Sequence, residues 1–143
     1  MNTKTRILIA DDEPDFLEQT KLYFEPRGYE VVAVTDGARA LDLLGSEDFD
    51  VAILDLVMPG ASGLEVVEAS RRRGDDVGMI LLTNYGERDE AIRAVNAHVD
   101  HWIEKPKLDY DDLKDKVDRL AEGVSLAEVR RMLGPQPPVD DAG

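Results

Sequence analysis

Short aliphatic runs alternate with stretches of helical periodicity along most of this chain, and that alternation limits its fold more than any other feature. The runs are Arg6-Ile-Leu-Ile-Ala10, Glu30 to Thr35, Val51-Ala-Ile-Leu54, Met79-Ile-Leu-Leu82 and Trp102-Ile-Glu104. Each is short and bounded by turn formers, as a buried strand should be. A first helix should start at Pro14, which fits a first turn, and end near Glu25 before Pro26 and Gly28, with Phe16, Leu17, Thr20 and Phe24 inward. A second should lie near residues 38–44 and carry Leu41 and Leu44. The break at Met58-Pro-Gly60 precedes a third, capped by Ser62, carrying Leu64, Val67 and Ala69 and ending near Gly74. A weaker fourth pattern covers 87–96 with Ala91, Ile92 and Val95, and a fifth covers 109–122 with Leu113, Val117 and Leu120. This (βα)5 order favours one parallel sheet with helices on both faces, because parallel neighbours need crossovers and right-handed crossovers bring successive strands out at one edge.

Four of the runs stop at residues suited to phosphoryl chemistry: Asp11 and Asp12, Asp55, Thr83 and Lys105. In open α/β sheets ligands gather beyond the carboxyl ends of the strands, so these side chains should share one rim. Three neighbouring carboxylates repel, and either raise a pKa or recruit a cation. The donors are oxygens and the chain has no cysteine, so the expected ion is Mg²⁺. A carboxylate balanced by such an ion can attack phosphorus; Asp55, at the end of the middle strand, is the candidate. Lys105 would neutralise the transferred group and Thr83 would donate a hydrogen bond to it. Alone, Asp11-Asp12 would read as a helix cap and Thr83 as a strand end; the combination gives them a joint purpose.

The chain of 143 residues has room for one domain and a tail, and its formal charge of −14, from 31 acidic and 17 basic residues, argues against direct contact with nucleic acid or an anionic membrane. No stretch has the length of a membrane span and the first residues lack a signal-peptide core, so the expected location is the cytoplasm.

These stretches resemble the receiver domain of two-component response regulators: Ile7-Leu-Ile-Ala-Asp-Asp-Glu13, Leu54-Asp-Leu-Val-Met-Pro-Gly60 with Gly63, Leu81-Leu-Thr83 and Trp102-Ile-Glu-Lys-Pro106. The resemblance spans about residues 5–122. It implies a flavodoxin-like, doubly wound five-stranded α/β sheet of order 2-1-3-4-5. It also implies Asp55 as the phosphorylated residue, with Asp11, Asp12, Asp55 and the Val57 carbonyl around Mg²⁺. Asp12 would touch the ion directly, and Asp11 largely through water. The implied donor is a sensor histidine kinase or phosphotransfer protein, and the implied output is a downstream protein target, with a phosphorylation-linked homodimer as one assembly. Such a protein is no enzyme in the ordinary sense, though it catalyses its own phosphoryl transfer and dephosphorylation. Thr83 and Trp102 are the implied switch: the hydroxyl moves to the phosphoryl group and the aromatic ring turns inward. The surface expected to change comprises helix 87–96, the Trp102 strand and helix 109–122. A cis Lys105–Pro106 bond is also implied.

The chain departs from the family pattern at His98-Val99, where Gly-Ala is usual, at Asn84 after the threonine, and at Trp102, where Tyr or Phe is common. Val57 cannot hydrogen-bond an attacking water and Tyr85 is placed to shield the group, so a long-lived phosphoryl-Asp55 is expected. His98 and His101 read as surface residues, Arg71-Arg-Arg73 as a solvated helix end, and Trp102 equally well as core or switch. Residues 123–143 read as a short helix near 125–133, a docking segment or a linker, then a Pro-rich disordered tail. Three other functions compete. A haloacid-dehalogenase-like phosphohydrolase would need an acid two residues after Asp55, where Val57 stands. A nucleotide-binding module would need glycines where Asp11-Asp-Glu-Pro14 stands. A pseudo-receiver scaffold would keep the fold without the chemistry.

Overall fold

The computed structural model describes residues 4–84 and 98–123. Five strands, β1 (Arg6–Ala10), β2 (Glu30–Val34), β3 (Val51–Asp55), β4 (Gly78–Thr83) and β5 (His101–Glu104), form one parallel sheet of order β2-β1-β3-β4-β5. The α-helices among the described residues are α1 (Pro14–Phe24), α2 (Gly37–Ser46), α3 (Gly63–Arg72) and α4 (Tyr110–Ala121). The expected α/β fold and strand order are those observed. The expected helix at 87–96 and the one near 125–133 lie outside the described residues, as does Tyr85.

Side-chain alternation divides the core into two halves. Leu8, Ala10, Ala52, Leu54, Met79 and Leu81 face α2 and α3, where they meet Ala40, Leu44, Leu64 and Val67. Ile7, Ile9, Val51, Ile53, Ile80 and Leu82 face the other way, onto Leu17 and Phe24 of α1 and Leu113 and Val117 of α4. Both halves are buried, which is why the strands read as continuous apolar runs rather than as an alternating pattern.

The helix ends follow from local chemistry. Pro14 opens α1, and Pro26 lies in a 3-10 turn, Glu25–Arg27, closed by Gly28 at φ +95°. Asp36 caps α2 through the Arg39 N–H at 2.7 Å. Ser62 caps α3 as expected, and Glu65 completes a capping box that the sequence reading omitted: its carboxylate accepts the Ser62 N–H at 2.8 Å while the Ser62 hydroxyl accepts the Glu65 N–H at 3.1 Å. Buried positions in α3 are Gly63, Leu64, Val66, Val67 and Ser70, while Ala69 is partly exposed. Gly63 is required by close approach, since a β-carbon there would overlap the Asp55 carbonyl. That contact seats the start of α3 directly on the end of β3.

Arg71 corrects one expectation. It is not a solvated helix end: its guanidinium donates to the His98, Asp75 and Val77 carbonyls and pairs with Asp100 at 3.2 Å. The five donors of the planar fork match this ring of acceptors, which ties the end of α3 to the starts of β4 and β5. His98 is exposed, as expected, with a left-handed backbone of φ +65°. Among the described residues no helix is long and apolar enough to cross a membrane.

Candidate phosphoryl-acceptor site

The order β2-β1-β3-β4-β5 puts its reversal between β1 and β3, where the crossovers diverge to opposite faces and leave a crevice at the strand ends. Asp11 follows β1 and Asp55 ends β3, so these two carboxylates border that crevice. One oxygen each of Asp11, Asp12 and Asp55 lies within 4.8 Å of the others. Asp11 and Asp55 are buried and Asp12 is exposed, which gives the cluster an inner floor and one solvent-facing arm.

Lys105, one residue past β5, enters from the β5 edge of the sheet. Its Nζ stands 2.6 Å from Asp11 Oδ2 and 3.9 Å from Asp55 Oδ2, pairs with Glu13, and lies 4.5 Å above the Phe16 ring. Lys105 therefore reaches the site over the α1 face, and the aromatic ring and three carboxylates offset the cost of burying its ammonium. Burial by itself would lower the Lys105 pKa, but the bonds to Asp11 and Glu13 outweigh it and the net direction is upward. The sequence places Phe16 only on the inward side of the first helix and Glu13 only in the motif after β1, neither at the lysine. The only signal for Glu13 was its place beside Asp11-Asp12, and nothing in the sequence marked Phe16 beyond helical spacing.

The Lys105–Pro106 bond is not cis; no cis peptide occurs among the described residues. Pro106 occupies a 3-10 turn, Lys105–Lys107, in which its missing N–H costs nothing and the ordinary trans isomer suffices.

Electrostatics at the floor are unfavourable in isolation. Burial and then the Asp11 charge push the Asp55 carboxyl up to about 6, against lowering by Lys105 and a bond from the Val57 N–H. Burial also raises Asp11, although Lys105 and the Glu13 N–H, 2.8 Å from Oδ1, pull the other way. Asp55 Oδ1 is buried with no hydrogen-bond partner, and Asp11 Oδ2 has its ion pair but no hydrogen bond of good geometry. A cluster of three carboxylates, with Asp55 Oδ1 buried and without a partner, is what a hard, oxygen-seeking divalent ion would satisfy, so the donor set fits Mg²⁺.

Thr83, the last residue of β4, is fully buried, and its Oγ1 accepts a hydrogen bond from Trp102 Nε1 at 2.6 Å. Trp102 is 44% exposed and therefore is not core. Val57 is exposed at the rim. His101 is half-buried, and burial followed by the Lys116 charge lowers its pKa.

A family model described as the response regulator receiver domain matches residues 7–118. The chain belongs to that family. Response regulator SaeR of Staphylococcus aureus is 36% identical to this receiver over 102 residues, which are 71% of this chain and 44% of SaeR. The chain thus spans less than half the length of that curated relative. Among solved structures, the Thermotoga maritima response regulator TrrA, in complex with Mg²⁺ and BeF, is 38% identical, with a TM-score of 0.72 over 81% of this receiver and 98% of that chain. A CheY-like receiver domain protein from Methanospirillum hungatei is 28% identical, with a TM-score of 0.76 over 85% of this receiver and all of that chain.

Proposed function

We propose that this receiver is a phosphorylation-dependent switch that takes a phosphoryl group onto Asp55 from the phosphohistidine of a sensor kinase or phosphotransfer protein. The observation that carries this reading is a buried Asp55 carboxyl, raised to about 6, beside two further carboxylates and with the Lys105 ammonium 3.9 Å away. Asp11, Asp12, Asp55 and the Val57 carbonyl would hold Mg²⁺, which when bound balances their charge and lends positive charge to a phosphoryl oxygen.

The chain's own residues supply the remaining chemistry. An Asp55 carboxylate oxygen forms a bond to phosphorus as the P–N bond of the donor breaks, and the electron pair of that bond returns to the imidazole. Lys105 neutralises the transferred group once released from Asp11 and Glu13, and the Thr83 hydroxyl donates to it from the β4 end. The phosphoryl group adds roughly −1.5 to −2 charges at one rim, enough to bias a two-state surface. That surface includes β5 and α4, through which a downstream protein or a second copy would read the state. A cytoplasmic location and a receiver unit of residues 5–122 belong to the same reading.

Incubation of the protein with acetyl phosphate and Mg²⁺, followed by mass spectrometry, tests it. The expected product carries one alkali-labile phosphoryl group that Asp55→Asn abolishes. An unlabelled wild type would instead support a pseudo-receiver scaffold, and turnover of a generic phosphate ester would support a phosphohydrolase.

A further inference from the structure

Thr83 and Trp102 are joined by geometry that the strand register imposes. Leu81 pairs with Trp102 across β4 and β5, and Thr83 lies two residues beyond Leu81 on the same face of the sheet. Diagonal neighbours of that kind are within reach of a large ring. Here the indole spans the gap, and its N–H meets Thr83 Oγ1 at 2.6 Å while the ring stays 44% exposed. A phenylalanine at this position has no donor, and a tyrosine carries its polar atom at the far tip.

A hydroxyl has one hydrogen to give and two lone pairs to receive with. An indole N–H is a donor only, so the bond to Trp102 uses a lone pair of Oγ1 and leaves the Thr83 hydrogen free. Receiving a hydrogen bond also makes a hydroxyl a better donor, because chained bonds polarise one another. On the proposed reading of the site, the group that needs this hydrogen is the phosphoryl oxygen on Asp55.

We propose that Trp102 is a positioning residue which holds the Thr83 hydroxyl by its indole N–H and aims its hydrogen at the phosphoryl group, doing so from its partly exposed position without turning inward. This deepens the receiver reading and rests on it. It departs from the inward rotation that the family resemblance implies. The output is an exposed indole whose hydrogen bond tightens on phosphorylation rather than a ring that disappears from the surface.

The chain has one tryptophan, so its indole ¹H–¹⁵N resonance and its fluorescence each report a single site. The experiment uses the full chain with Mg²⁺ and beryllofluoride as the phosphoryl probe, and a bound ¹⁹F resonance verifies occupancy. In the unliganded protein the indole N–H resonance should move upfield in Thr83→Val and return in Thr83→Ser. On beryllofluoride binding it should move downfield, with acrylamide quenching of Trp102 unchanged. Trp102→Phe, and replacement of Trp102 by benzothienylalanine, which keeps the shape and lacks the N–H, should each weaken beryllofluoride binding roughly three- to tenfold. Unchanged affinity with benzothienylalanine, or loss of acrylamide quenching on binding, would overturn the proposal while a bound ¹⁹F resonance leaves the receiver reading intact. Absence of a bound ¹⁹F resonance in the wild type would overturn the receiver reading and this proposal with it.

Discussion

Replacing Asp55 by asparagine should stabilise the metal-free protein, because the wild-type carboxylate is held where its charge is unwelcome. Its folded-state pKa of about 6 lies above the ordinary 3.8, so the native chain binds this proton more tightly than the unfolded chain does. Stability from that proton is complete below about pH 3.8 and is lost as the pH rises through 6. Above that pH the ionised group costs the fold up to about 3 kcal/mol, reduced to about 2 kcal/mol by water at the open rim. Asparagine keeps the shape and the acceptor for the Val57 N–H, and its amide can donate to the neighbouring carboxylates. Thermal denaturation at pH 8 in EDTA should therefore place Asp55→Asn roughly 5–10 °C above the wild type. The difference should shrink towards zero near pH 4 as the wild-type carboxyl protonates. Mg²⁺ should narrow it at pH 8 by stabilising the wild type more. A variant no more stable than the wild type at pH 8 in EDTA would refute the claim that burial and Asp11 repulsion dominate this site.

Other perturbations probe the parts separately. Lys105→Ala leaves Asp11 and Asp55 without their cation, and should cost the metal-free protein about 3 kcal/mol in urea denaturation, with Mg²⁺ restoring much of it; labelling should remain possible while the downstream response weakens. Gly63→Ala pushes a β-carbon into the Asp55 carbonyl and should cost about 1–3 kcal/mol while slowing phosphorylation, measured by melting and by labelling rate. Arg71→Leu strands the three carbonyls it serves and should cost about 2–3 kcal/mol, whereas Arg72→Leu should stay within about 0.5 kcal/mol. Phosphoryl-Asp55 should persist for minutes or longer, and Val57→Asn should shorten its lifetime on the order of tenfold by orienting the attacking water; a lifetime of seconds for the wild type would contradict the shielding argument.

The sequence displayed the sheet plainly because the central parallel strands, buried on both faces, leave a continuous apolar signature, and because four of the five strands end at or beside Asp11, Asp55, Thr83 or Lys105. Pro14, Gly28 and Ser62 marked helix ends by backbone chemistry that operates locally. Contacts between distant segments were less visible. Arg71 looked like any arginine at a helix end, and only the return of the chain at His98 to Asp100 gives it acceptors. Glu13 became part of the site only because Lys105, 92 residues away, lies against it. Trp102 could not be assigned between core and surface from residue type, since that depends on what covers β5.

Strand parity explains why the residues at these strand ends play two kinds of part. Ile7, Ile9, Val51, Ile53 and Ile103 point towards α1 and α4, and continuing that alternation carries Asp11, Asp55 and Lys105 to the same side. Thr83 follows Leu82, which shares that side, and so approaches from the opposite face, where Trp102 holds it. Asp11, Glu13 and, at longer range, Asp55 are thus linked through the Lys105 ammonium above Phe16, while the hydroxyl is tied to a half-exposed ring on the other face of the sheet. A change of charge at Asp55 acts first on the carboxylate and lysine set, and on the proposed reading crosses to the Trp102 surface through the Thr83 hydroxyl. On this argument Thr83→Val should still allow labelling of Asp55, with phosphoryl-analogue affinity lowered at least as far as in Trp102→Phe, and should silence the Trp102 response. A variant whose indole still responds fully to phosphorylation would show that the signal travels by another route.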